Sequence, residues 1–285
     1  MSIISERAML ASLNVSQWTA RRLDKQETAA LNSSAQAVEG AARVNKSLLP
    51  TSMNLVNLQK KTGAVRTYFY EQTRPWAMDG PRIFPSANYM TFTDAMRDHI
   101  NEWKSLKNKF LNAYDDDVTE AQRSLGSMFK PEDYPSRTEL EYKFNISLAF
   151  MPVPDERDWR VDLADEEVER LRANVEMQVQ AGVSKAMEEN WQQVADVIRR
   201  AHKRLSDPKG VFRDTLVENA VQLVNILPSM NLTDDPELER VRRELEKTLA
   251  SHNPQTLRDA PAVRQQVSDK LAKLDAEFGH LFPNN

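Results

Sequence analysis

Between Asp165 and Leu205 an apolar or small residue returns every three or four positions: Val168, Leu171, Val175, Val179, Val183, Met187, Trp191, Val194, Ile198, Ala201 and Leu205. Ten steps cover 37 residues, or 3.7 residues per step. That period predicts one long helix, capped by Asp165 and running to about Leu205, roughly 60 Å in length at 1.5 Å per residue. It lies nearer an 11-residue repeat than a heptad, so the packing seam is expected to be straight or slightly right-handed. A helix of this length must lie along another long helix or along another subunit. Gly182, in mid-helix, allows either a close approach or a slight bend.

The rest of the composition agrees with a helical protein. Only 7 of 285 residues are glycine, so tight hairpins and glycine-rich phosphate loops have little material. There is no cysteine, which excludes disulfides, thiolate metal sites and cysteine nucleophiles. Four scattered histidines, His99, His202, His252 and His280, make a histidine-rich metal site an unpromising reading. The mean hydropathy of −0.61 and the lack of an apolar run near 18 residues argue against a membrane span. The N-terminus Met1-Ser-Ile-Ile-Ser-Glu-Arg7 lacks the pattern of a secretory signal, so the cytoplasm is the expected location.

Elsewhere the chain alternates helical periods with two strand signals. Residues 10–20 read as a strand, and Phe144, Ile146, Leu148 and Phe150 alternate as a second, with Trp159-Arg-Val161 as its expected partner. Helices are predicted over Thr28–Arg43, over Met53–Thr73, and from an N-cap at Thr93 to Tyr114. Asp115-Asp116-Asp117 is expected to restart a helix, its carboxylates favoured by the macrodipole. A metal site is the competing reading, and no second acidic cluster at ligand spacing supports it. Ser136-Arg-Thr-Glu139 has the form of a capping box. Helices are further expected over Val211–Leu227, from Pro236 behind an Asp235 cap, and after Pro261. The fold class is therefore mainly α with a small antiparallel β-sheet (α+β), organised as a long-helix bundle. An N-terminal α+β region over 1–162 and a C-terminal helical region over 163–285 are the expected divisions, or a single integrated domain.

Residues 74–92 form the main irregular segment, with three prolines and four aromatics. Two readings stand: aromatic plugs over a helix end, or a partner-docking element built from Trp76, Asp79, Arg82 and Tyr89. Charge gives a second candidate. Between Asp196 and Arg213 six basic residues face two acidic ones, and residues 1–80 hold ten basic against six acidic, in a chain of net charge −4. Arg199, Arg200, Lys203 and Arg204, with the N-terminal Arg21, Arg22 and Lys25, could neutralise single-stranded nucleic-acid phosphates. The same residues serve equally as a solvated helix end.

Chemistry-bearing motifs are missing: there is no G-x-S-x-G, no G-x-x-x-x-G-K-[ST] and no G-x-G-x-x-G. No catalytic residue, metal ligand or cofactor is expected, and the reading is a non-enzymatic one.

Several segments, Ser12-Leu-Asn-Val-Ser-Gln-Trp-Thr-Ala-Arg-Arg22, Arg74-Pro-Trp-Ala-Met-Asp-Gly-Pro-Arg82 with Asn88-Tyr89, Asp133-Tyr-Pro135, Phe212-Arg-Asp-Thr-Leu-Val217 and Leu227-Pro-Ser-Met-Asn-Leu-Thr-Asp-Asp235, occur in this order. Together they resemble a family of tailed-phage and prophage proteins of unknown function, over residues 8 to about 240. Genes of that family often lie near a MoxR-like AAA+ ATPase and a cobaltochelatase-like von Willebrand A protein. The resemblance implies a phage protein of the host bacterial cytoplasm and an adaptor for such an ATPase pair, and it supplies no catalytic residues. With the long stripe it gives the leading expectation, a self-associating helical accessory protein. The alternative is a nucleic-acid-binding accessory of phage replication, transcription or recombination.

Overall fold

The 3.7-residue stripe is a single helix of 41 residues, Asp165–Leu205, in the computed structural model, which describes residues 3–76, 80–155, 165–207 and 210–282. The fold is mainly helical with a small antiparallel sheet, as the sequence predicts. In chain order the first elements are α1 (Ile3–Arg7), β1 (Ala8–Ser16), β2 (Arg21–Leu23), α2 (Lys25–Ser34), β3 (Asn45–Ser47) and α3 (Met53–Glu71). Then come β4 (Arg74–Pro75), β5 (Arg82–Pro85), α4 (Tyr89–Leu125), α5 (Arg137–Lys143) and β6 (Asn145–Pro152). The long helix is α6, followed by α7 (Thr215–Met230), α8 (Pro236–Leu245), α9 (Pro254–Asp259) and α10 (Pro261–Phe278). The chain packs into two compact units, one of Met1–Ser12, Tyr70–Phe92 and Ala149–Asn285, the other of Leu13–Phe69 and Thr93–Leu148.

In the first unit α6 lies chiefly along α10, with α7 and α8 completing the core. The α6 side chains Val179, Val183, Ala186, Val194, Ile198, Ala201 and Leu205 are buried with Val267, Leu271, Leu274 and Phe278 of α10 and with Val241 and Leu245 of α8. Each fully buried aliphatic side chain of this kind contributes about 1.5–3 kcal/mol over an exposed one. Gly182 makes a close approach: a Cβ there would overlap the benzo ring of Trp76, which is 2% exposed. The C-terminal carbonyls of α6, which no further helical turn can satisfy, are met by Arg264 from α10. Its Nε donates to Leu205 O at 3.1 Å, and its Nη2 to Arg204 O and Gly210 O, each at 2.8 Å.

The helix predicted from Val211 begins only at Thr215, because Phe212 is buried ahead of it, and it runs to Met230 with Pro228 inside its last turn. Asp235 caps α8 as expected, accepting from Glu237 N at 2.9 Å. A π-helical turn, Glu246–Ala250, then follows.

The sheet has strand order β4-β5-β1-β6. β5 runs antiparallel to β1, with Leu10 opposite Ile83, and antiparallel to β4, with Arg74 opposite Ile83. The strand expected at Trp159–Val161 lies outside the described residues. The 74–92 segment itself supplies the short strand pair β4 and β5 and, from Tyr89, the first turn of α4, with an aromatic cluster beside them. Phe84 and Phe92 are buried with ring centroids 4.6 Å apart.

In the second unit α3 and α4 carry the core. Leu55, Leu58, Val65 and Phe69 of α3 and Met96, Trp103, Phe110, Tyr114 and Ala121 of α4 are buried, and Trp103 Nε1 donates to Thr62 Oγ1 at 2.9 Å. Three expectations are corrected here. Helix α4 starts at Tyr89 instead of Thr93, and it passes through Asp115-Asp116-Asp117 without a restart. The buried stripe continues from Tyr114 to Ala121 across the acidic triplet, and Ser52 Oγ donates to Asp117 at 2.5 Å. The helix predicted over Thr28–Arg43 ends at Ser34. Gln36 and Gly40 take positive φ (50° and 89°), and the Asn32 amide clamps the returning chain at Ala42. That return pairs β3 with β2. The capping box at Ser136 is present as predicted.

Candidate docking surface

The four residues proposed for partner docking separate into different environments. Trp76 is a core side chain, wedged against Gly182, so it is removed from any docking role. Asp79 lies outside the described residues. Tyr89 is 38% exposed and packs edge-on against Phe150 at 5.0 Å. Arg82 is half-buried: its Nε donates to Thr73 Oγ1 at 2.7 Å, and its guanidinium lies over the Tyr70 ring at 4.9 Å. Burial lowers its pKa, against the opposing pull of Glu189.

Sequence reasoning missed Arg74, which is fully buried between β5 and α6. Its Nε donates to Asn190 Oδ1 at 2.6 Å and its Nη1 to the carbonyls of Glu71 and Thr73. Burial pushes its pKa down to about 10. Asn190 in turn donates to Met230 O at 2.9 Å, so this polar set ties β4, α6 and α7 together. The only sequence signal was an arginine amid aromatics, which equally fits a surface residue.

The basic residues are also divided. Arg21, Arg22 and Lys25 belong to the second unit, and Arg199, Arg200, Lys203 and Arg204 to the first. Arg22 faces Asp133 at 3.3 Å, while Arg21 and Lys25 are exposed. Arg199 pairs with Asp275 at 2.9 Å and lies over the Phe282 ring, and Arg200 pairs with Asp196 at 2.6 Å. Among the described residues Lys203 and Arg204 form no ion pair. Lys209, at the end of the same charge run, lies outside them. Half of the helical cluster's positive charge is thus already met by acidic neighbours.

One further surface stands out on α6. From Val179 onward the apolar stripe is buried, but Val168, Leu171 and Val175 are only half-buried and Met177 is 63% exposed. Val175 is the last of them to touch the core. The charges around this overhang pair within the helix: Arg170 with Glu166 and Glu167, and Arg172 with Glu169. Four glutamates against two arginines over 166–178 leave the overhang acidic by two charges, with an uncharged stripe at Val168, Leu171 and Val175. Among the described residues no three His, Asp or Glu side chains group as a metal site, and no helix is long and apolar enough to cross a membrane.

No family model, no curated protein and no solved structure matches the chain.

Proposed function

We propose that this protein is a non-enzymatic helical interaction protein that self-associates through the first turns of α6. The observation that supports the reading is the continuation of one apolar stripe past the end of the packed core, at Val168, Leu171 and Val175. A second copy of the same helix is the partner assigned to this surface: the stripe itself is uncharged, and the excess of glutamate over arginine beside it makes added salt favour the association by screening. An adaptor serving an AAA+ ATPase and its von Willebrand A companion is the form that the phage-family resemblance suggests. Single-strand binding, the alternative, rests on less free charge than the sequence implied, since Arg199 and Arg200 already face Asp275 and Asp196.

Size-exclusion chromatography with light scattering on the full chain tests the proposal, with and without a labelled single-stranded oligonucleotide at low salt. The expected result is an oligomer that does not carry the oligonucleotide and that Leu171→Glu reduces to a smaller species by removing the α6 contact. A monomer at all concentrations would reject self-association. Oligonucleotide co-elution that disappears at high salt would put the nucleic-acid reading first.

A further inference from the structure

The stretch Gly210–Phe212, just ahead of α7, is pinned at two of its carbonyls. Arg264 Nη2 donates to Gly210 O at 2.8 Å, and Arg258 Nη2 donates to Phe212 O at 3.2 Å. Both guanidinium groups lie over the buried Phe212 ring, at 5.4 and 5.1 Å. Between the two pinned carbonyls stands Val211, 86% exposed. A lone exposed valine on a loose loop is ordinary. On a backbone fixed at both sides it is a preorganised apolar knob, with little further ordering to lose on contact.

A matching hollow adjoins it. The N-terminal half of α7 and the chain from the π-helical turn into α9 enclose a cleft of about 630 Å³. Val217, Val221, Ala250 and Pro254 give it an apolar lining, and Val221 is left 36% exposed there. Glu218 and the Asp214–Arg258 ion pair also line it. Among the described residues neither Glu218 nor the exposed Arg213 has an ion-pair partner. π-helical turns are rare and frequent at functional sites, and this one ends at Ala250 in the cleft.

The knob, the free cation and the free anion thus lie within eight residues of chain, 211–218, and Glu218 also lines the hollow. Arrangements of this kind are self-complementary: a two-fold axis brings each feature of one copy onto its counterpart in the other. We propose that a second copy of this chain docks here about a two-fold axis. Val211 of each copy enters the cleft of the other, and Arg213 of each meets Glu218 of the other. The opposite charges of Arg213 and Glu218 choose a second copy as the occupant over an unrelated apolar partner. This surface is separate from the α6 overhang and does not depend on it.

A charge-swap series read by sedimentation velocity over a range of concentrations tests this, in the full chain and in a chain carrying Leu171→Glu to remove association through α6. Arg213→Glu and Glu218→Lys should each weaken dimerisation by roughly tenfold, because the axis applies every substitution twice. The double variant Arg213→Glu/Glu218→Lys should restore it, and Val211→Asp should abolish it. Val211, Arg213 and Glu218 are all exposed, so thermal melts of these variants should stay at the value of their parent chain. Association indifferent to the single swaps, a double variant that does not recover, or a Leu171→Glu chain that never dimerises would each overturn the proposal. Loss of the α6 contact alone would leave the swap pattern intact, so the two readings fail separately.

Discussion

Along α6, residues 179–205 and residues 166–178 carry the same spacing of apolar side chains, yet only the first set is enclosed. Val183, Val194, Ile198 and Ala201 meet α10, α7 and α8, whereas Val168 and Leu171 stand beyond the reach of those helices. The 18-residue α10 spans about 27 Å, less than half of the length of α6, so it cannot cover the whole stripe. The proposed self-association gives the part of the stripe beyond α10 its use. The charges differ in the same sense. Arg199, in the enclosed half, pairs with Asp275 of α10, while among the described residues Arg170 and Arg172 of the overhang pair along their own helix.

Substitutions sharpen this contrast. Leu271→Ala, in the seam of α10 against the enclosed half, is expected to cost about 2–5 kcal/mol. Leu171→Ala in the overhang should cost less than about 1 kcal/mol, and chemical denaturation of both variants measures the difference. Equal losses would break the contrast. Gly182→Ala should destabilise by up to about 3 kcal/mol, since the added methyl overlaps the Trp76 ring. Trp76→Leu in the same chain should recover part of that loss, read as a rise in thermal midpoint.

The other end of the enclosed half depends on Arg264. Arg264→Met leaves the carbonyls of Arg204, Leu205 and Gly210 without their donor and is expected to cost about 1–2 kcal/mol. Amide exchange should rise in the last turn of α6 while the overhang is unaffected.

The smallest effect concerns pH. On α8, Arg242 first, and then Arg243, hold the Glu239 carboxyl at about 2, below its ordinary range. A carboxylate whose folded pKa is depressed gives stability that is present above its unfolded pKa of about 4.3 and is lost as pH falls toward 2. Glu239→Gln should flatten the acid side of the stability profile slightly, measured by denaturation between those limits. The pair is partly solvated, so the change is small.

Features set by neighbouring residues were legible in the sequence. The α6 stripe, the β6 alternation, the Ser136 capping box and the Asp235 cap each rest on residues a few positions apart. The misread boundaries have long-range causes. Asp115-Asp116-Asp117 looks like a helix start, but the buried stripe of α4 runs through it and Ser52 of the α3 entry meets Asp117. Thr28–Arg43 looks helical by composition, but Asn32 folds the chain back at Ala42. Of the docking candidates, Trp76 became core because Gly182, far along the chain, has no side chain to keep it out. The pinned loop at Val211 was equally hidden, since its clamps, Arg258 and Arg264, come from α9 and α10.

The central claim, that α6 is core in one half and contact surface in the other, is tested most directly by hydrogen exchange on the full chain at low and high concentration. The account predicts that amides of residues 183–205 exchange slowly at both, while those of residues 166–178 exchange fast when dilute and become protected when concentrated. Exchange in residues 166–178 that is the same at both concentrations would contradict it.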